Sequence, residues 1–278
     1  MEKLKISHLE FHVAHSCNLT CEGCAHFSNH GHQGIISYEE LKQWFSHWHK
    51  RISPTTMDIL GVEPLLNKKI VDIVYLTREM WDDSNLKLLN LQTNGMLLYK
   101  YPDLPKALKE TNIRLTLSKH GNSGSYLEKF NAAEKIMNDW KQEYGIETGI
   151  ADCYNHWFTL YKGYGNNITP FEDNDPQKSW DNCITGQDCF TLNDNSIYKC
   201  APLAYLPHQA SKYKISNKWD YYLTYTPLQP GCTDEELAEF FSRKCESYCS
   251  MCPANPEKFQ SRDPLTPRTV YELENKAE

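Results

Sequence analysis

The sequence has no long apolar run, no secretory leader and no excess of positive charge. Its apolar stretches fall short of the roughly 18 consecutive residues that a membrane-spanning helix needs. The first residues, MEKLKISHLEF, have neither an apolar core nor a small-residue cleavage site, which argues against secretion. The net charge is −7, whereas a protein that binds nucleic-acid phosphates needs a basic face. We therefore predict a cytoplasmic protein with no membrane or nucleic-acid partner.

Cysteine, by contrast, is abundant, with eleven among 278 residues. Thiols stay reduced in the cytosol, so cysteines there serve metal or redox chemistry more often than disulfides. An odd count also fits poorly with a closed set of disulfides. Three of the eleven, Cys17, Cys21 and Cys24, lie together in the stretch HSCNLTCEGCAHFS.

Strand and helix periodicities alternate along the first half of the chain. The pattern predicts strands at residues 9–16, 56–64, 86–95, 113–121 and 146–152. Helices are predicted from Ser37, which forms a capping box with Glu40, and at 67–81 with Asn67 as N-cap, 104–110 and 126–144. Such alternation implies parallel strands with right-handed crossovers. Five or six units are too few for an eight-fold barrel and suit an open or partial one.

This alternation stops near residue 153. Residues 161–187 are rich in Gly, Asn, Asp and Pro and are predicted to be loop. Residues 189–200 predict a hairpin that turns at Asn193-Asp194-Asn195. A second capping box, from Thr233 to Glu236, predicts a short helix that ends at a late group of cysteines. The polar tail after residue 255 is expected to wrap the protein or fray.

The first three cysteines allow three interpretations. A structural zinc site would need a fourth ligand, from His26 or a distant cysteine. Cysteines buried by chance in a core would be a poor fit to the polar neighbours here. An iron–sulfur cluster held at three irons, with the fourth iron open to another ligand, explains the number three.

The spacing C-x3-C-x2-C after a first strand resembles the radical S-adenosylmethionine (SAM) superfamily. The resemblance implies a partial (β/α)6 barrel whose Cys17, Cys21 and Cys24 hold a 4Fe–4S cluster. It also implies that the open iron chelates SAM and that an electron from a flavodoxin- or ferredoxin-like reductant cleaves it. The resulting 5′-deoxyadenosyl radical abstracts a hydrogen from the substrate, while the protein supplies geometry and excludes water.

Other positions match motifs of the same superfamily. Residues 61–64 resemble its GGEP motif, which meets the amino group of SAM, although an ordinary strand-ending turn remains an alternative. The residues concerned are Gly61, Val62, Glu63 and Pro64, with Val62 in place of the second glycine. Thr93 and Asn94 resemble the TNG turn after the third strand, and Ser118 stands where a polar side chain often touches the cofactor.

One position departs from the family pattern. The residue before the third cysteine is usually aromatic and contacts the adenine, but here it is Gly23. The resemblance therefore leaves His26 or Phe27 as candidates for the adenine contact.

Six later cysteines form two groups, which predict a second metal centre. A zinc knuckle is one interpretation. The groups also resemble the SPASM and twitch extensions of radical SAM enzymes, which hold an auxiliary 4Fe–4S cluster. By this resemblance Cys183 and Cys200 pair with Cys249 and Cys252, while Cys189 and Cys245 are rival ligands. Six cysteines are too few for two fully cysteine-ligated clusters, so we predict one.

These motifs divide the chain into three parts. Residues 1–160 are assigned to the radical SAM core, 161–255 to the SPASM/twitch-like auxiliary domain and 256–278 to the tail. The fold class is α/β, a partial (β/α)6 TIM-type barrel with a small hairpin-plus-helix extension.

The resemblance also directs the choice of reaction. The first strand begins within about ten residues, so we expect no leader-binding domain of the kind that peptide-modifying members carry. This favours oxidation or epimerisation of a small polar, sugar or aminocyclitol-like substrate, with modification of a ribosomal peptide as the alternative. The aromatic, Asn-rich residues 154–167 would suit a pocket wall, or simple loop packing.

An epimerase would also need a thiol as hydrogen donor. The candidates are Cys153, Cys189 and Cys232. Hypotheses from other classes are a zinc-stabilised binding module and an iron–sulfur electron carrier.

Overall fold

The computed structural model describes residues 2–172, 175–183 and 185–275, and within them seven strands form one sheet. The strands are β1 (Leu4–His12), β2 (Ile52–Leu60), β3 (Leu88–Thr93), β4 (Arg114–Lys119), β5 (Thr148–Asp152), β6 (Cys189–Asn193) and β7 (Ser196–Tyr198). Their order is β5-β4-β3-β2-β1-β6-β7, and every pairing is parallel except that of β6 with β7. The α/β class and the open, mostly parallel sheet are as predicted.

Helices connect the parallel strands. The α-helices are α1 (Tyr38–Trp48), α2 (Ile70–Met80), α3 (Leu104–Thr111), α4 (Gly124–Tyr144), α5 (Pro176–Asp181), α6 (Ala201–Lys212), α7 (Asp220–Leu223), α8 (Asp234–Ser242) and α9 (Arg268–Glu274). Short 3-10 helices cover Ser28–His30, Pro64–Leu66, Leu98–Lys100, Tyr154–His156, Gly165–Asn167, Asn217–Trp219 and Ser247–Met251. Both predicted capping boxes form, at Ser37 with Glu40 and at Thr233 with Glu236.

Two hydrophobic cores support this arrangement. The larger core lies between the sheet and α1 to α4, and contains Leu9 and Phe11 of β1. The smaller core joins the segment after β5 to α6 and includes Phe27 and Trp219. Burial of these apolar side chains stabilises the fold by roughly 25 cal/mol per Å² of area removed from water.

The second half of the chain departs from the sequence predictions. The predicted hairpin forms, but β6 pairs in parallel with β1, so the hairpin continues the core sheet. The predicted loop 161–187 contains α5, and its residues 173, 174 and 184 lie outside the described residues. Helix α6 was not predicted, because Pro202 and Pro207 interrupt its pattern. The assignment of domains at residues 160 and 255 stays a prediction.

Asn67 does not cap α2 as predicted. Lys69 stands at the N-cap, and the Asn67 amide instead donates hydrogen bonds of 2.9 and 2.8 Å to the carbonyls of Val13 and Ile36. Asn67 thus joins the start of α2 to the segment after β1.

A membrane-spanning helix is not found among the described residues, since none of their helices is both long enough and apolar enough.

Candidate active site

Cys17, Cys21 and Cys24 lie on the loop that leaves β1 at the carboxyl edge of the sheet. All three are free thiols; Cys21 is buried, and the other two are partly exposed. The backbone N–H of Leu19 donates to the Cys17 sulfur at 3.3 Å. The Nδ1 atom of His26 lies 3.8 Å from the Cys24 sulfur. Free, closely spaced thiols with N–H groups directed at the sulfurs are a donor set that fits a cluster.

The environment affects the ionisation of the three thiols differently. Burial raises the pKa of Cys21 well above its usual value, and the neighbouring thiols of Cys17 and Cys24 raise it further. Burial likewise raises the pKa of Cys17. Burial also opposes ionisation of Cys24, but the hydrogen bond from His26, the charge of His26 and hydrogen bonds from Ser28 together outweigh it and lower the pKa of Cys24 to about 7. Repulsion within such a group of thiols is relieved when a metal centre binds the thiolates.

The C-terminal tail holds this loop in place. The carbonyl of Pro264 accepts a 2.8 Å hydrogen bond from the Thr20 N–H. The Arg268 guanidinium donates to the Cys17 carbonyl at 3.0 Å, and the Tyr271 hydroxyl donates to the Thr20 carbonyl at 3.1 Å. The tail was predicted either to wrap the protein or to fray, and its described part wraps the protein.

Residues 61–64 follow β2 at the same edge. Gly61 has φ 126°, and a Cβ atom there would lie 2.8 Å from the Ala14 backbone nitrogen. Only glycine allows this approach of the two backbones. The N–H of Val62 donates to the Ala14 carbonyl, and Pro64 is the first residue of a short helix.

Glu63 is buried and accepts three hydrogen bonds. The Thr93 hydroxyl donates at 2.6 Å, and the backbone N–H groups of Leu65 and Asn94 donate at 2.9 and 3.0 Å. Burial still raises the pKa of Glu63. The carboxylate therefore joins the end of β2 to the end of β3.

Asn94 connects β3 to the cysteine loop. Its side-chain amide donates to Asn18 Oδ1 at 2.8 Å and lies 3.9 Å from the Cys17 sulfur.

Ser118, at the end of β4, is buried and contacts Cys153, which directly follows β5. The structure thus brings these predicted site residues to one edge, as expected where parallel strands end together.

Gly23 is covered by an aromatic residue of the tail. Gly23 has φ 72°, and a Cβ atom there would lie 2.9 Å from the Phe259 ring and 3.1 Å from the Phe158 carbonyl. His26 lines the adjoining cavity. Phe27 does not line it, because its ring stacks on Tyr161 at 4.6 Å in the smaller core. Phe259 had no motif in the sequence that would have identified it.

A cavity of about 250 Å³ lies beside the cysteine loop. Its polar lining includes Glu10, Gln92 and Thr185, and its walls include the aromatic rings of Trp157 and Phe158. Residues 154–167 thus supply part of the wall. Two larger cavities also border the cysteine loop, one of about 500 Å³ at Asn18 and Leu19 and one of about 400 Å³ at Glu22 and Gly23, but of the three only the smallest is lined by both His26 and Glu10.

The face of the sheet next to this cavity is polar. On β1, His8, Glu10 and His12 alternate with the core residues Leu9 and Phe11. Hydrogen bonds continue the polar row across the sheet, from Asn90 to Asp58 at 2.8 Å and from Thr116 to Asn90 at 2.7 Å. The alternation HLEFH in the sequence is the signal that could have identified Glu10 and His12, which were not proposed as site residues.

The late cysteines separate into two sets. Burial raises the pKa of Cys200, and the thiols of Cys252, Cys183 and Cys249 add to this rise because they lie close by. Cys245 is next to Cys249 on the outside of this group. Cys189 faces the cavity, where its thiol donates to Glu10 at 3.6 Å, and Cys200 is near enough to contribute to the rise of its pKa.

The three candidate hydrogen donors differ in position. Cys153 lies near Cys21, and Cys189 lines the cavity. Cys232 does not: its sulfur accepts a 3.1 Å hydrogen bond from Arg51, which directly precedes β2 at the opposite, amino edge of the sheet. We therefore do not propose Cys232 as a hydrogen donor.

Comparison with known proteins identifies one protein family. Residues 12–142 match the family model described as the radical SAM superfamily. The chain is 29% identical over 147 residues to GTP 3′,8-cyclase of Peptoclostridium acidaminophilum. The aligned residues cover 51% of this chain and 44% of the cyclase.

Two similar solved structures cover different shares of the chain. Native anSMEcpe with bound AdoMet and the Cp18Cys peptide is 24% identical, with a TM-score of 0.39 over 52% of this chain and 42% of its own. SuiB of Streptococcus suis bound to S-adenosylmethionine is 12% identical, with a TM-score of 0.33 over 70% of this chain and 60% of SuiB. The chain spans less than half the length of the cyclase and of anSMEcpe.

The residues matched by the family model include the cysteine loop and the ends of β2, β3 and β4 that surround it. Residues 12–142 of this chain therefore form a radical SAM domain.

Proposed function

We propose that this radical SAM enzyme abstracts a hydrogen atom from a small polar substrate and oxidises or epimerises it. The single observation that carries the choice of substrate is the small cavity beside the cysteine loop, with its polar and aromatic lining. A volume of about 250 Å³ suits a sugar- or aminocyclitol-sized molecule. Tyr and Trp rings stack on such molecules, while carboxylate and amide groups bind their hydroxyl or amino groups.

The cluster ligands in this proposal are Cys17, Cys21 and Cys24. When bound, the 4Fe–4S cluster supplies the electron that cleaves SAM to methionine and the 5′-deoxyadenosyl radical. A flavodoxin- or ferredoxin-like protein is the proposed electron source, and a cytoplasmic location stays a prediction.

The chain's own residues orient the reactants. Glu63 fixes the relative position of the strand ends after β2 and β3. We propose that these strand ends bind SAM through Gly61, Val62, Glu63, Pro64, Thr93, Asn94 and Ser118. Phe259 and the rings of the cavity wall exclude water from the space next to Gly23. We assign the adenine contact to Phe259 and His26, because Phe27 lies in the smaller core.

An auxiliary 4Fe–4S cluster is proposed at Cys183, Cys200, Cys249 and Cys252. This set is supported by the thiols of Cys252, Cys183 and Cys249, which all raise the pKa of Cys200; Cys245 hydrogen-bonds to Cys249 and is the rival ligand. Its position behind the cavity wall would allow it to accept an electron from a substrate radical. If the reaction is an epimerisation, Cys189 is the proposed hydrogen donor because its thiol lines the cavity.

Anaerobic reconstitution tests the cluster assignment. The wild-type protein should be brown and, with dithionite and SAM, should form 5′-deoxyadenosine and methionine. The Cys21→Ala variant should lose this cleavage, while the matched Cys153→Ala variant should keep it. A colourless, zinc-containing wild type would favour the zinc-stabilised module, and a brown protein that does not bind SAM would favour the electron carrier.

A further inference from the structure

Glu10, His12 and His26 form a group of possible metal ligands outside the cysteine sets. One ligand atom of each lies within 4.8 Å of the others. Glu10 and His12 project from the same face of β1, and His26 follows the third cysteine of the loop. The group lies at the wall of the cavity, which Glu10 and His26 line.

Two nitrogen atoms of this pair of imidazoles, Nδ1 of His12 and Nε2 of His26, lack hydrogen-bond partners among the described residues. His12 is 0% exposed; its Nε2 lies 3.3 Å from Glu10 Oε1, and its Nδ1 forms no hydrogen bond with a described residue. The same holds for Nε2 of His26, whose Nδ1 is directed at the Cys24 sulfur. An N–H on Nδ1 of His26 leaves a lone pair on Nε2. Buried polar atoms without partners cost free energy, so a ligand is expected at these nitrogens.

The charge of Glu10 is also incompletely compensated. Glu10 is 6% exposed, and the Thr191 hydroxyl donates to it at 2.7 Å. Its only ion-pair distance among the described residues is 3.3 Å, to Nε2 of His12, and no lysine or arginine pairs with it. A buried carboxylate without a cation is unfavourable, and a divalent cation would neutralise it.

The ring geometry agrees with a shared ion. Two imidazoles that bind one ion at about 2.1 Å, with bonds about 90–110° apart, have ring centres about 4.5–5.2 Å apart. The centres of His12 and His26 are 4.9 Å apart, and the rings are inclined by 66°. Tyr205 packs against both rings, at 5.1 and 5.2 Å, and its buried hydroxyl also has no partner among the described residues.

We propose that Glu10, His12 and His26 bind one divalent transition-metal ion at the cavity wall, separate from the iron–sulfur clusters. Two histidines and one carboxylate are a ligand set that suits Zn²⁺ or Fe²⁺ and leaves positions open. Those positions would face the cavity and coordinate a hydroxyl or amino group of a bound molecule. This site does not depend on the proposed reaction, because SAM cleavage without substrate does not require it.

Zinc binding to the fully cluster-loaded protein tests the proposal. After anaerobic incubation with Zn²⁺ and gel filtration, the wild type should retain about one zinc per chain with its iron content unchanged. The Glu10→Gln and His12→Gln variants should bind zinc about tenfold more weakly or not at all, with wild-type iron content.

The His208→Gln variant is the matched control. His208 belongs to another possible metal group, with His15 and Asp194, so this variant should retain the zinc if our assignment is right. The proposal is overturned if the loaded wild type binds no zinc, or if Glu10→Gln and His12→Gln bind it as the wild type does. Loss of zinc in His208→Gln alone would also overturn it. If His12→Gln does not fold, the zinc content of Glu10→Gln decides.

Discussion

The Thr93 hydroxyl donates a 2.6 Å hydrogen bond to the buried Glu63 carboxylate, which joins the ends of two neighbouring parallel strands. The N–H of Asn94 donates to the other carboxylate oxygen. The Asn94 side chain in turn reaches Asn18 in the cysteine loop. One carboxylate thereby positions three segments of the site relative to each other.

Replacement of Glu63 by Gln should destabilise this edge. The amide offers one acceptor where the carboxylate offers two, so one of the three N–H and O–H donors loses its partner. We expect a cost of about 1–3 kcal/mol, which lowers the Tm by roughly 2–8 °C, together with weaker SAM binding. The matched Glu79→Gln change, on the exposed side of α2, should leave both unchanged. Equal Tm values for the two variants would contradict this role of Glu63.

Iron content distinguishes the late cysteines from each other. Two clusters of four irons predict about eight iron atoms per chain after reconstitution. The Cys252→Ala and Cys200→Ala variants should fall to about four. The Cys245→Ala and Cys189→Ala variants should stay near eight, because these two thiols lie outside the group of four. Wild-type protein with about four irons would exclude the auxiliary cluster.

Arg268 of the tail should slow the loss of iron from the first cluster. Its guanidinium donates to the Cys17 carbonyl at 3.0 Å, and such charge-assisted hydrogen bonds are roughly twice as strong as neutral ones. In Arg268→Gln the cysteine loop is held less firmly, so a chelator should remove iron several-fold faster. The Glu257→Gln variant changes an exposed tail residue and is the matched control. Equal rates in the two variants would show that the tail contact does not restrain the loop.

His30 should make the fold sensitive to mild acid. Burial lowers the pKa of His30 to about 3, and its Nδ1 accepts a hydrogen bond from the Gly165 N–H at 3.2 Å. The unfolded chain, with a histidine pKa of about 6.5, binds the proton first, so stability falls as the pH drops from about 6.5 towards 3.

The loss from this one residue is about 2 kcal/mol at pH 5 relative to pH 8. Denaturant unfolding at several pH values should therefore show a shallower acid dependence in His30→Gln than in the wild type. Parallel curves for the two proteins would contradict the buried, neutral state of His30.

Much of the first half of the fold follows from local patterns. The strand and helix periodicities predicted the five βα units in order, and Ser37 with Glu40 predicted a helix start that forms as a capping box. The spacing of Cys17, Cys21 and Cys24 predicted the family, because a short loop brings these thiols together whatever surrounds it. The βα alternation also implied that residues 61–64, 93–94 and 118 meet at one edge.

The remaining features depend on contacts that are distant in sequence. The pairing of β6 with β1 joins residues about 180 positions apart, and no local pattern encodes such a partner. The same is true of Phe259 over Gly23 and of Arg268 on Cys17. The position of Cys232 at the amino edge likewise became apparent only from its contact with Arg51.

The sequence by itself therefore predicted the family and the proposed ligands of the first site, since three thiols within eight residues meet through local chain geometry. Only the tertiary structure showed which aromatic residue covers Gly23 and which late thiols lie close to Cys200. It also placed Glu10, His12 and His26 around one point. Those arrangements arise from packing between distant segments, whose relative positions are set by the whole core.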